Sequence, residues 1–166
     1  MSAGRTLEDL GGRVLSPGPF GFHDLPLTAR RTPLLRFELA ALLGEPRTPE
    51  RKLTAFLEQG LRLRLVSLPI TALHKFVVLP LSDYDDEGEP GDRRKTEKLI
   101  AVLRHGVTLP PPLVFIGPYF AATRPVDVLD GYHRITAHAA VGHRSLSAYE
   151  MILPAGHVLL RPSKFL

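Results

Sequence analysis

Five consecutive residues, Asp130-Gly131-Tyr132-His133-Arg134, gather a carboxylate, a glycine, a phenol, an imidazole and a guanidinium in one short stretch. The run Val126-Asp127-Val128-Leu129 before them reads as a strand, and Ile135-Thr136-Ala137-His138-Ala139 after them reads as a helix. A strand that turns through glycine into a helix is suited to holding an anion. The helix start offers N–H donors and the positive end of its dipole, and glycine allows close backbone approach. His133 and Arg134 add charge-assisted donors, and Asp130 adds a group that can take a proton, so the stretch points to chemistry as well as binding.

Each residue also has a plainer reading, and these stay open on sequence alone. Gly131 suits any tight turn, Arg134 a structural ion pair, His133 a first-turn backbone partner, and Asp130 a helix N-cap. Tyr132 fits a stacked base and a packed aromatic equally well. Upstream, residues 83–92 form an acidic loop that includes Glu87 and Glu89; such clusters are usually solvated or attract Mg2+ loosely. Arg93, Arg94 and Lys95 then open a helix. Cations are slightly unfavourable at that end, which adds some weight to a functional reason for them, such as reaching phosphates, beside the plainer reading of a solvated charged face. His133, His138 and His143 lack a His-x-x-x-His spacing, so no metal ligands are expected among them. His143 and Arg144 read as partners of a helix C-terminal dipole, and His157 and Lys164 fall in the tail.

The elements that must carry these groups follow from pattern. Residues 61–66 alternate like an edge or amphipathic strand, and Phe76-Val77-Val78-Leu79-Pro80-Leu81 reads as another strand. Residues 94–105 carry a helical stripe at Leu99, Ile100, Val102 and Leu103 that Gly106 can end. Leu113-Val114-Phe115-Ile116, after Pro110-Pro111-Pro112, has the continuous apolar character of a buried strand. Gly142 sits where a helix C′ glycine belongs, and residues 146–152 form a closing strand. Toward the N-terminus, residues 16–21 and 30–33 suggest an irregular arm, followed by helices over 34–43 and about 48–60. A DNA-reading helix pair is disfavoured there, because the link contains proline and no basic recognition face is evident.

At Gly131-Tyr132-His133-Arg134 the chain resembles the ParB/sulfiredoxin superfamily, whose members place a Gly-x-His-Arg or Gly-Glu-Arg-Arg signature at a strand-to-helix turn. The order of segments over residues 76–151 is similar as well. The motif looks closest to the ParB-like free serine kinases with Asp-Gly-His-His-Arg: Asp130 is present and Tyr132 replaces the first His. Sulfiredoxins carry their catalytic Cys at that position; this chain has no cysteine, so no thiolate is available and sulfiredoxin activity is excluded. ParB partition proteins carry Glu there, in a CTP-binding motif.

The resemblance implies an α/β (α+β) fold, a small mixed sheet flanked by helices, here with a helical N-terminal extension. It implies a nucleotide, ATP or ADP with CTP as an alternative, bound with Mg2+ through Gly131, Tyr132, His133 and Arg134, which Arg94 and Lys95 can supplement. Asp130 with Glu87 or Glu89 would then activate the hydroxyl of a small acceptor such as free serine, making the protein a kinase. The alternative is a non-enzymatic module in which a nucleotide switches binding to DNA or protein. A nuclease and a vestigial pocket on an interaction scaffold are weaker readings.

Length and composition set the outer bounds. With 166 residues and 44% hydrophobic content, one core domain is expected over residues 61–153, with an arm and helical extension over 1–60 and a tail over 154–166. No opening apolar run or membrane-length stretch is evident, which predicts a cytoplasmic protein without membrane contact. The whole net charge of +4 lies in residues 1–79. Its cations are scattered among acidic neighbours, so a solvated face fits better than a nucleic-acid surface. Oligomeric state is not legible.

Overall fold

The computed structural model describes residues 6–16, 20–21, 62–83, 92–116 and 126–152, with backbone alone at 20, 21, 92, 127, 129 and 130. The fold is α+β, and among these residues six strands form one mixed sheet: β1 (Arg13–Val14), β2 (Phe20–Gly21), β3 (Arg62–Pro69), β4 (Leu113–Ile116), β5 (Val126–Asp130) and β6 (Ser145–Ile152). The order across the sheet is β1-β3-β6-β4-β5, and β2 also pairs with β3. β3 and β6 run antiparallel along their full lengths, from Arg62 opposite Ile152 to Pro69 opposite Ser145. β4 lies parallel to β6 and antiparallel to β5, which places the continuous apolar run Leu113–Ile116 inside the sheet with all four residues buried.

Side chains alternate between the two faces of a strand, and here one face builds the main core. Val66 and Leu68 of β3, Val114 and Ile116 of β4, Val126 and Val128 of β5, and Leu146 and Ala148 of β6 form one cluster with Leu7, Leu73, Phe76 and Ile135. Burying each large apolar side chain contributes about 1.5–3 kcal/mol. On the same face, Arg64 and Glu150 stand directly opposite in register and form an ion pair between Nε and Oε2.

Two helices complete the described part, α1 (Asp92–Arg104) and α2 (Tyr132–Ala140). Ile100 of α1 and Ala137 of α2 share a second cluster with Leu109, flanked by Leu99, Val102, Leu103, Ala140 and Val141. One turn earlier on both helices, Thr96 Oγ1 meets His133 Nδ1 at 3.1 Å. Contacts that advance together in this way make the helices parallel, with both N-termini at the same end. α2 closes with paired backbone bonds, from Gly142 N–H to the Ala139 carbonyl and from His143 N–H to the His138 carbonyl, both 3.1 Å. Gly142 holds φ +83°, the left-handed conformation this cap needs.

Three expectations change. Residues 76–81 form no strand; instead a 3₁₀ helix spans Ile70–Phe76, and the Val78 N–H is taken by Thr136 Oγ1 at 3.3 Å. Ile70, Leu73 and Phe76 recur every third residue, so they line one side of a 3₁₀ turn and pack into the core. β3 is internal rather than an edge, because β1 and β2 pair along the side opposite β6. The stretch 16–21, expected to be irregular, ends in β2. The expected helices at 34–43 and 48–60 lie outside the described residues, as do Glu87, Glu89, His157 and Lys164. No helix among the described residues is long and apolar enough to cross a membrane.

Candidate anion site at the strand-to-helix turn

The turn forms where the sequence places it. β5 reaches Asp130 opposite Leu113, while Val128 pairs with Val114, so the register shifts by one residue at Leu129 just before the turn. Gly131 follows with φ +115° and ψ +21° as the N-cap of α2, and its carbonyl accepts the first helical bond, from Ile135 N–H at 3.0 Å. Asp130 therefore precedes the cap rather than serving as it; its side chain lies outside the described residues. A Cβ on Gly131 would lie 2.5 Å from Pro112 Cβ, 3.0 Å from Pro112 Cα and 3.1 Å from Arg134 Nη2. The close approach that demands glycine is made by the chain itself.

Arg134 is buried, and its Nη1 donates to the carbonyls of Pro110 at 2.8 Å and Pro111 at 3.1 Å. The carbonyl of Pro112 accepts from Tyr149 N–H at 2.8 Å. Proline has no N–H to give, so this segment enters the sheet as an acceptor only, and Arg134 supplies donors that a strand neighbour would otherwise provide. The Tyr132 hydroxyl donates to the Val128 carbonyl at 3.0 Å, and its ring meets Phe76 edge-on with centroids 5.6 Å apart. Tyr132 is thus packed, yet 39% of it remains exposed. His133 is half-buried against the fully buried Thr96. Thr136 Oγ1 donates to the Phe76 carbonyl at 3.4 Å and accepts from Val78 N–H, fastening the 3₁₀ segment to α2.

Among the expected site residues, the parallel helices gather Gly131, Tyr132, His133 and Arg134 at the start of α2 beside the opening turn of α1, where Arg94 and Lys95 are exposed. Arg93 is engaged with Glu97 at 3.1 Å. Two aligned helix starts with exposed cations beside them make this end attractive to anions. Of the carboxylates expected to act there, Glu87, Glu89 and the Asp130 side chain lie outside the described residues.

Residues that sequence reasoning missed include Thr96 and the Pro110–Pro112 carbonyls. Thr96 had a signal, as the one uncharged residue in Arg93-Arg94-Lys95-Thr96-Glu97-Lys98. At the opposite end of α2, His138 and His143 meet with their Nδ1 atoms 2.8 Å apart. Burial, then His143 and then Arg134, hold the His138 imidazole below the ordinary histidine range. Among the described residues no three His, Cys, Asp or Glu side chains cluster as a metal-binding set. In comparison with known proteins, the chain matches no family model, no curated protein and no solved structure.

Proposed function

We propose that the protein binds a nucleotide by its phosphates at the paired starts of α1 and α2 and transfers a phosphoryl group to a small hydroxyl acceptor such as free serine. The observation that carries this reading is the Thr96–His133 contact, because it brings two helix N-termini together beside the exposed Arg94 and Lys95. Phosphoryl transfer asks chiefly for positioning and charge neutralisation, which such a site supplies. Arg134 supports the site by fixing the turn through the Pro110 and Pro111 carbonyls, and Tyr132, partly exposed, offers an aromatic surface to a base. ATP or ADP is the expected nucleotide and CTP the competing one, in line with the ParB-like motif at Gly131-Tyr132-His133-Arg134. Mg2+ would enter with the phosphates, and the carboxylates suited to it and to activating the acceptor are Asp130, Glu87 and Glu89.

The test is calorimetric titration of ATP, ADP and CTP with Mg2+ into the wild type and an Arg94→Ala/Lys95→Ala variant, followed by an assay of serine phosphorylation. Both substituted residues are exposed, so the fold is retained, whereas replacing Arg134 would confound binding with stability. The expected result is adenine-nucleotide binding that weakens about tenfold or more in the variant, in keeping with loss of charged hydrogen bonds. Absence of binding to the wild type would refute the reading; binding without phosphorylation would refute its catalytic half.

A further inference from the structure

We infer that Thr96 is a positioning residue for His133: its hydroxyl donates to His133 Nδ1 and holds the ring neutral with its proton on Nε2, so that the donor His133 offers a phosphate is an uncharged N–H. The inference rests on the nucleotide reading for its ligand, but not for the tautomer, which the ligand-free protein displays. Thr96 is fully buried, while Arg93, Arg94, Lys95, Glu97 and Lys98 around it are exposed. It falls four residues before Ile100 on the face of α1 that meets α2, a place where a leucine or an alanine would serve packing alone. A β-branched residue is a weaker helix former than either, and a hydroxyl sealed from water costs free energy unless it is bonded.

The direction of the bond follows from counting protons. A threonine hydroxyl has one proton to place, and inside a helix it commonly goes to the carbonyl four residues back. Here, among the described residues, the hydroxyl's partner is His133 Nδ1 at 3.1 Å. The buried proton therefore goes to the ring, and Nδ1 presents its lone pair. A neutral imidazole that accepts at one nitrogen carries its proton on the other, which is Nε2. A doubly protonated ring would force the hydroxyl to accept from Nδ1–H and would leave its own proton sealed in without an acceptor. The surroundings act in the same sense, because two helix starts with Arg94 and Lys95 beside them disfavour a further positive charge. Charge at the site then comes from Arg94 and Lys95, and His133 adds a directed neutral donor.

The experiment is nitrogen-15 NMR of the histidine rings in the intact, ligand-free chain, at a pH where free imidazole is neutral, with His133→Gln identifying the signals by their loss. The expected wild-type spectrum has Nδ1 bare and Nε2 protonated. Thr96→Ser keeps the hydroxyl and should keep that spectrum, whereas Thr96→Val fills the same volume without it and should show both tautomers. Calorimetry with ATP, ADP and CTP in the presence of Mg2+ then reads the site. Thr96→Val should bind its nucleotide about two- to tenfold more weakly than the wild type, in keeping with one neutral hydrogen bond, and Thr96→Ser should bind like the wild type. A wild-type ring protonated at Nδ1, an unchanged tautomer in Thr96→Val, or equal nucleotide affinity in the two would overturn the inference. The expected spectra without nucleotide binding to the wild type would sink the nucleotide reading alone, since Thr96 would still set the ring. The wild-type spectrum can refute the inference by itself, so the test does not depend on Thr96→Val folding.

Discussion

Replacing Gly131 by alanine separates backbone strain from crowding, with Gly142→Ala as its reference. Both glycines have positive φ, +115° and +83°. Holding an L-residue in such a conformation costs about 1–3 kcal/mol, and at Gly142 this is the whole expected cost because no atom lies within 4 Å of the added Cβ. At Gly131 the new Cβ would lie 2.5 Å from Pro112 Cβ. That is about 1 Å inside the favourable carbon–carbon range. Pro112 cannot rotate away: its ring fixes φ, and its carbonyl is held by Tyr149 N–H. Relief requires the proline segment or α2 to shift, an overpacking cost of about 1–3 kcal/mol. The total at Gly131, about 2–6 kcal/mol, is a large share of the about 5–15 kcal/mol that holds a domain folded. Urea denaturation of both variants, followed by circular dichroism, measures the difference, expected at about 1–3 kcal/mol in the direction of greater loss for Gly131→Ala. Equal losses would refute the close approach between Pro112 and the turn.

Two further outcomes are expected. The Arg64 side chain is 30% exposed and that of Glu150 8%, so the ion pair should respond asymmetrically. Arg64→Ala leaves a buried carboxylate without its cation and should cost about 2–3 kcal/mol, whereas Glu150→Gln leaves a cation that reaches water and should cost about 1 kcal/mol; urea midpoints for both would show it, and the reverse order would count against the burial argument. For pH, His138 is held below its ordinary range, so the unfolded chain takes up its proton first. Stability should be fully present above about pH 6.5 and decline as pH falls below it, and His138→Ala should flatten that part of the profile; identical profiles from about pH 7.5 to about pH 5.5 would refute the assignment.

The second half of the fold was readable because each element carried its own period or punctuation. Leu113–Ile116 is a strand over the bounds its apolar run suggests, and α2 begins after Gly131 and ends before Gly142 as the two glycines indicate. The stretch 70–76 escaped because its apolar residues recur every third position, which matches neither the two-residue period of a strand nor the 3.6-residue period of an α-helix. β1 and β2 are two residues each, too short for any period to register. At the site, the turn itself was legible from Asp130 to Arg134, but the partners were not. Nothing in the spacing says that Arg134 reaches the carbonyls of Pro110 and Pro111, or that Thr96 sits against His133, because those contacts depend on how β4 and α1 pack against α2. His138 and His143 meet only because the chain reverses in the cap after α2, which their spacing of five does not reveal.

The all-acceptor proline segment sets the size of the piece that could be transplanted into another protein. Its three carbonyls draw their donors from Arg134, on the helix that follows β5, and from Tyr149, in the closing strand. A graft of the turn alone would carry a glycine with nothing above it and an arginine with nothing to hold. A graft of β4 alone would import carbonyls that its host could not answer. The smallest cassette that answers all three carbonyls runs from Pro110 to Tyr149, and chimeras cut inside those limits should lose the turn even when every residue of the motif is kept.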